Sequence, residues 1–169
     1  MNVELVLFFV FAVAILLSAG LVVFAKNPIN SAMSLVATFF FLAGVYVLLW
    51  AHTIAALQVL VYAGAIMVLF LFVIMLLNLT EVELGAQRMT LSRIVGGLAA
   101  LGLFAALAIA VARMPEVAGT MDGASAASFG TLRSVGQELY TRWLFPFEAV
   151  SLLLLVSMVG AVVVSKSKI

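Results

Sequence analysis

Apolar residues run through this chain in long unbroken blocks, and the polar positions are gathered between them rather than alternating or forming stripes. Five blocks are long enough to cross the roughly 30 Å hydrocarbon core of a bilayer as α-helices, which takes about 20 residues at 1.5 Å each. The first, about 3–24, is stopped by Lys26-Asn27-Pro28, because proline lacks the N–H that would extend the helix and lysine prefers the headgroups. The second, about 30–50, and the third, about 53–77, are separated only by Ala51-His52 and so predict a tight helical hairpin. The fourth, about 94–111, follows a polar segment carrying Glu81, Glu83, Arg88 and Arg93, and the fifth, about 147–164, follows Pro146. The pattern predicts an all-α integral membrane protein, with residues 1–169 as a single membrane domain.

Composition turns this pattern into a statement about solvent. Of 169 residues, 67% are hydrophobic and only 9% are charged, with a mean hydropathy of +1.36. A soluble domain needs about a quarter of its residues charged to cover its surface, so the apolar excess must face lipid. A net charge of +1 gives no electrostatic reason to expect nucleic acid or an acidic substrate. Zero Cys excludes disulfides, cysteine-held iron–sulfur clusters and cysteine-ligated zinc, and the single histidine, His52, cannot build a multi-histidine metal site or a bis-histidine haem site. Any redox chemistry must therefore lie on other chains.

Charge placement orients the spans. The leader before the first span lacks the positive region of a signal peptide, so that span is expected to stay. An odd number of spans puts the termini on opposite faces. With the N-terminus outside and the C-terminus cytoplasmic, the inner segments carry Lys26, Arg88, Arg93, Lys166 and Lys168, while the Ala51-His52 hairpin carries no Lys or Arg, in keeping with the positive-inside bias. The external loop is then 112–146. It is rich in Gly, Ala and Ser between Gly119 and Gly130, and it ends in a short interfacial helix, about 131–143, with Leu132, Val135, Leu139 and Trp143 on one face. Asn78-Leu79-Thr80 matches a glycosylation acceptor but faces the cytoplasm on this topology. Five spans cannot form two equal inverted halves, as a self-contained secondary transporter would.

No ionisable residue sits centrally in any span, although such groups normally mark proton or ion paths. The fourth span instead carries small residues four apart, Gly96 and Ala100, Gly102 and Ala106, Ala106 and Ala110, a spacing that lets helix backbones approach closely. The third span is unlike the others: Gln58 and Tyr62 are polar, and Ala63-Gly64-Ala65 is small, within otherwise bulky apolar sequence. Gly64 lowers helix propensity by about 1 kcal/mol relative to Ala, and the β-branched Val59 and Val61 resist α geometry, so one extra residue in a π-bulge is affordable there. Adding or removing such a residue turns one half of the helix by roughly 100° against the other. The alternative is that Gly64 accommodates a neighbouring helix and Tyr62 hydrogen-bonds a partner. Glu148, just after Pro146, and Glu4 are read as carboxylates favoured by the dipole at a helix start.

Three stretches carry a family resemblance: Asn27-Pro28 with Ser31-Ala32; Ala55-Ala56-Leu57-Gln58-Val59-Leu60-Val61-Tyr62-Ala63-Gly64-Ala65-Ile66-Met67-Val68-Leu69-Phe70; and Gly136-Gln137-Glu138-Leu139-Tyr140-Thr141 with Pro146-Phe147-Glu148. They resemble chain J of the proton-pumping NADH:quinone oxidoreductase, respiratory complex I, over most of the chain outside 112–130. The resemblance implies a multi-pass subunit of the bacterial inner membrane with no redox centre of its own, with FMN, iron–sulfur clusters and quinone held by other subunits. It implies A-, H-, K- and N-type membrane chains as partners. It also implies a hinge at a π-bulge over Val61, Tyr62, Ala63 and Gly64, whose α/π interconversion opens a hydrated path for protons; beside it, Gln58, His52 and, near the external surface, Glu148 are read from the sequence as candidate polar positions for proton passage. At His52 the chain departs from the acidic residue of many bacterial relatives, a departure that counts against a proton-relay role there. The rival reading is a small membrane subunit of a multi-subunit cation/proton antiporter; an independent oligomeric permease and a purely structural spacer are further ones.

Overall fold

The computed structural model describes residues 3–77, 91–113 and 128–166, with the backbone alone for 91–94. The polar segment with Glu81, Glu83 and Arg88, the acceptor sequence at Asn78, the Gly/Ala/Ser-rich stretch before Ser128, and Lys168 lie outside the described residues. Every regular element among the described residues is helical: α1 Val3–Phe24, α2 Pro28–Leu48, α3 His52–Leu57, a π-helical segment Gln58–Ile66, α4 Met67–Leu76, α5 Leu91–Ala112, α6 Leu132–Thr141 and α7 Leu144–Ser165. The third, fourth and fifth of these join into one rod, His52–Leu76, so that five helices are long and apolar enough to cross a membrane.

The corner between α1 and α2 follows from local chemistry. Asn27 caps α2 by accepting a hydrogen bond from the Ile29 N–H at 2.9 Å, and Pro28 occupies the first helical position, where a missing N–H costs nothing. Across the corner the Ser31 hydroxyl donates to the Val22 carbonyl at 2.7 Å. Further along, the Thr38 hydroxyl lies 2.9 Å from that of buried Ser18, which itself donates to the Ala14 carbonyl at 2.8 Å. The helices approach closely at Gly44, where an added Cβ would stand 2.9 Å from the Phe11 ring.

Helix α2 is the hub, packing against both α1 and the rod. Its contact with the rod centres on buried Ala32, Met67 and Ile74, flanked by Leu35, Val36, Phe39 and Leu71. By contrast, α7 and the side chains of α5 from Val95 onward are exposed along their whole length. Amphipathic α6 packs on α7 through an edge-on Tyr140–Phe147 pair with centroids 5.2 Å apart. Thr131 caps α6, accepting from the Ser134 N–H at 3.3 Å. Helix α7 begins at Leu144, before Pro146, because proline is tolerated within the first turn, whose N–H groups have no intrahelical partner.

Candidate functional site

The central feature of the rod is its π segment. The Met67 N–H reaches the Tyr62 carbonyl five residues back, and a Cβ placed on Gly64 would lie 3.2 Å from the Val59 carbonyl, again five back. The absent side chain at Gly64 therefore does more than weaken the helix. It leaves the space in which the wider turn closes.

The buried positions of the rod explain why the surplus residue is tolerated. Ala55 and Gln58 are buried before it, Met67 and Ile74 after it. In an unbroken α-helix, at about 100° per residue, Ala55 and Ile74 would point about 100° apart, and Gln58 and Ile74 about 160° apart. One extra residue absorbs about 100° of that mismatch, so Ala55, Met67 and Ile74 can all meet α2 on one face.

Two polar side chains ride on this segment. Gln58 is only 7% exposed, and its amide makes no hydrogen bond to any described residue. No buried side-chain nitrogen or oxygen among the described residues lacks a partner, so the amide end of Gln58 reaches the surface of the chain, where water or a neighbouring group can bind it. Tyr62 is 49% exposed; its ring lies edge-on to Phe39 with centroids 5.7 Å apart, and its hydroxyl bonds no described residue. Thus Gln58, Val61, Tyr62, Ala63 and Gly64 share one segment.

The structure does not gather the other candidates there. His52 is exposed at the start of the rod, edge-on to Trp50 with centroids 5.9 Å apart, at the rim of an apolar cavity of about 540 Å³ reaching Phe11, Gly44 and Val59. Glu148 is exposed on α7, whose packing partner is α6. The expectation that Glu148 sits in a first helical turn is corrected: α7 begins at Leu144 and has no acidic residue in its first turn, so Glu148 lies in the second, where the dipole has largely fallen away. Glu4 does occupy the first turn of α1.

Sequence reasoning missed how the hairpin end of the rod is held. Helix α2 ends with the Trp50 N–H on the Val47 carbonyl at 3.0 Å and the Ala51 N–H on the Tyr46 carbonyl at 2.9 Å, with Trp50 itself at φ 60°. This closure usually takes glycine, because a Cβ in that left-handed region costs roughly 1–2 kcal/mol. Ala51, at the cap position of the rod, has no side-chain acceptor. The acceptor comes instead from far along the chain: the Gly130 carbonyl takes the Thr53 N–H at 3.0 Å. Gly130 is at φ 67°, and a Cβ there would overlap the Trp50 carbonyl oxygen and stand 2.9 Å from the Ala51 Cα. The only advance sign was a glycine at the end of a stretch that reads as linker.

With this geometry in hand, comparison with known proteins is decisive. A sequence model of the family described as NADH-ubiquinone/plastoquinone oxidoreductase chain 6 matches residues 18–164. The chain belongs to that family. It is 36% identical over 168 residues to the NADH-quinone oxidoreductase subunit J of Rhodobacter capsulatus, covering 98% of this chain and 83% of the relative. It is 43% identical over 148 residues to the NADH-quinone oxidoreductase subunit 10 of Thermus thermophilus, covering 88% and 81%. The chloroplastic NAD(P)H-quinone oxidoreductase subunit 6 of Staurastrum punctulatum is 38% identical over 158 residues, covering 93% and 87%. Kinship with these bacterial subunits, together with the five apolar helices, makes this chain 6 homologue a multi-pass protein of the inner membrane. Membership also favours the oxidoreductase over the antiporter reading.

Proposed function

We propose that this chain, a membrane subunit of NADH-quinone oxidoreductase by family, couples quinone-site events to proton pumping through α/π conversion at Gln58–Ile66. FMN, iron–sulfur clusters and quinone belong to other subunits, and the neighbours are membrane-arm chains of the A, H, K and N types. The N-terminus faces outward. The observation that carries the reading is the π segment itself, lying between buried faces that its extra residue brings into phase. Conversion to α would turn the Met67–Leu76 half by roughly 100° against Gln58 and the half-exposed Tyr62. Different side chains would thereby stand beside this polar pair and the waters it holds, opening or closing a path to charges on neighbouring chains, which lets a bundle without central ionisable groups gate protons. Chemistry at the flavin needs none of this, so the chain contributes positioning rather than catalysis.

Gly64→Val in the assembled enzyme tests the reading. A side chain at this position presses on the Val59 carbonyl in the π state and favours α. Gly64→Ala presses on the same carbonyl through its Cβ alone and shifts the balance less. Electron transfer from NADH to an artificial acceptor should be unchanged, while quinone-linked proton pumping falls severalfold in the Val variant and less in the Ala variant. Full pumping by an assembled Gly64→Val enzyme would remove the hinge.

A further inference from the structure

A helix that switches between α and π must turn one half against the other, and which half moves depends on which is held. We infer that Gly130 holds the hairpin end of the rod, so that it is the positioning residue that directs the hinge motion into Met67–Leu76; this rests on the hinge reading above.

Two observations carry the inference. At the hairpin end the rod is tied directionally: three residues, Leu49, Trp50 and Ala51, link it to α2, the Gly130 carbonyl takes the Thr53 N–H at 3.0 Å, and the Gly130 Cα is seated on the Trp50 carbonyl too closely for any side chain. A backbone hydrogen bond fixes azimuth, because a turn of about 100° would carry the Thr53 N–H out of line with its acceptor. At the other end, Met67–Leu76 reads Met-Val-Leu-Phe-Leu-Phe-Val-Ile-Met-Leu and is apolar around its whole circumference. Its packing on Ala32, Leu35, Val36 and Phe39 is dispersion and apolar contact, which has no preferred direction. Turning that half replaces Met67 and Ile74 by other large apolar side chains. Turning the hairpin half would break the Gly130 bond and also move Gln58.

The segment presenting Gly130 is itself ordered by Thr131, whose hydroxyl lies 2.9 Å from the Ser128 carbonyl and whose Oγ1 accepts from the Ser134 N–H. The rod's hairpin end is thereby connected to α6, and through α6 to α7.

The test uses Gly130→Ala in the purified assembled enzyme, with Thr131→Ala as a milder variant that loosens the same turn without adding bulk against Trp50. Amide exchange is measured on peptides covering 50–57 and 67–76, alongside flavin-site electron transfer and protons pumped per electron passed to quinone. In the Gly130→Ala enzyme, exchange over 50–57 should accelerate at least tenfold and protons per electron should fall severalfold, with exchange over 67–76 and flavin-site transfer unchanged. Thr131→Ala should show the same pattern at smaller amplitude and decides the matter if Gly130→Ala does not assemble. Unchanged exchange over 50–57 overturns the clamp. Accelerated exchange with undiminished pumping overturns the positioning role. In that second case Gly64→Val separates the two ideas: lost pumping there leaves the hinge standing without its clamp, and retained pumping removes the hinge as well.

Discussion

At Gly44 the two first helices come so close that an added Cβ would stand 2.9 Å from the Cε1 and Cζ atoms of Phe11. Those atoms are the far end of a side chain that can swing, so Gly44→Ala should cost under about 1 kcal/mol, whereas Gly44→Leu should cost about 1–3 kcal/mol as overpacking. The thermal midpoint for loss of quinone reductase activity in the assembled enzyme checks both; equal midpoints for Leu and wild type would contradict the packing. A second contact between the same helices is polar. A double-mutant cycle with Ser18→Ala and Thr38→Val should give a coupling near 0.6 kcal/mol, the usual worth of a hydrogen bond between helices in a bilayer. Neither contact was legible in the sequence. Ser18, Thr38 and Gly44 are single small or polar residues inside apolar runs, and nothing local in such a run tells which faces of two helices will meet.

The rod is where sequence and structure meet most closely. Its weakness was readable from Gly64 between β-branched and polar neighbours, because propensity is a local property. The phase of the buried positions was not, because a run apolar on every side carries no periodicity to show which residues face inward. That phase gives a test of its own. Deleting Leu60, which is largely exposed, should yield a plain α-helix in which Ala55, Met67 and Ile74 still meet α2. The enzyme should then assemble and pass electrons at the flavin normally, while protons pumped per electron fall severalfold. If pumping survives the deletion, the surplus residue serves packing alone. Gly130 illustrates the opposite limit of legibility. Its partner, Thr53, is far away in the chain, and a glycine after Ala and Ser residues looks like slack until the bond it accepts is seen.

Across the whole molecule, burial is lopsided. Helix α2 packs on α1 and shares a small core with the rod, while α5 from Val95 onward and all of α7 expose every side chain. At Gly96, Gly97 and Gly102 an added Cβ would meet nothing within 4 Å, so the small-residue face of α5 is open among the described residues. Ala106→Leu should therefore leave membrane insertion of the subunit unchanged but reduce its recovery in the purified complex severalfold, as measured by quantifying the chain in membranes and in the assembled enzyme. Equal recovery would show that this face meets lipid rather than protein. The five spans and their hydrophobic character were plain from block lengths, but this division into a packed layer and two unshielded helices depends on which side chains touch. The division also bears on how the cell manages the polypeptide. A copy made in excess of its neighbours has two long helices whose described side chains are all exposed, so its lifetime in the bilayer should be set by membrane proteolysis, and its abundance should follow the scarcest of its assembly mates rather than its own rate of synthesis.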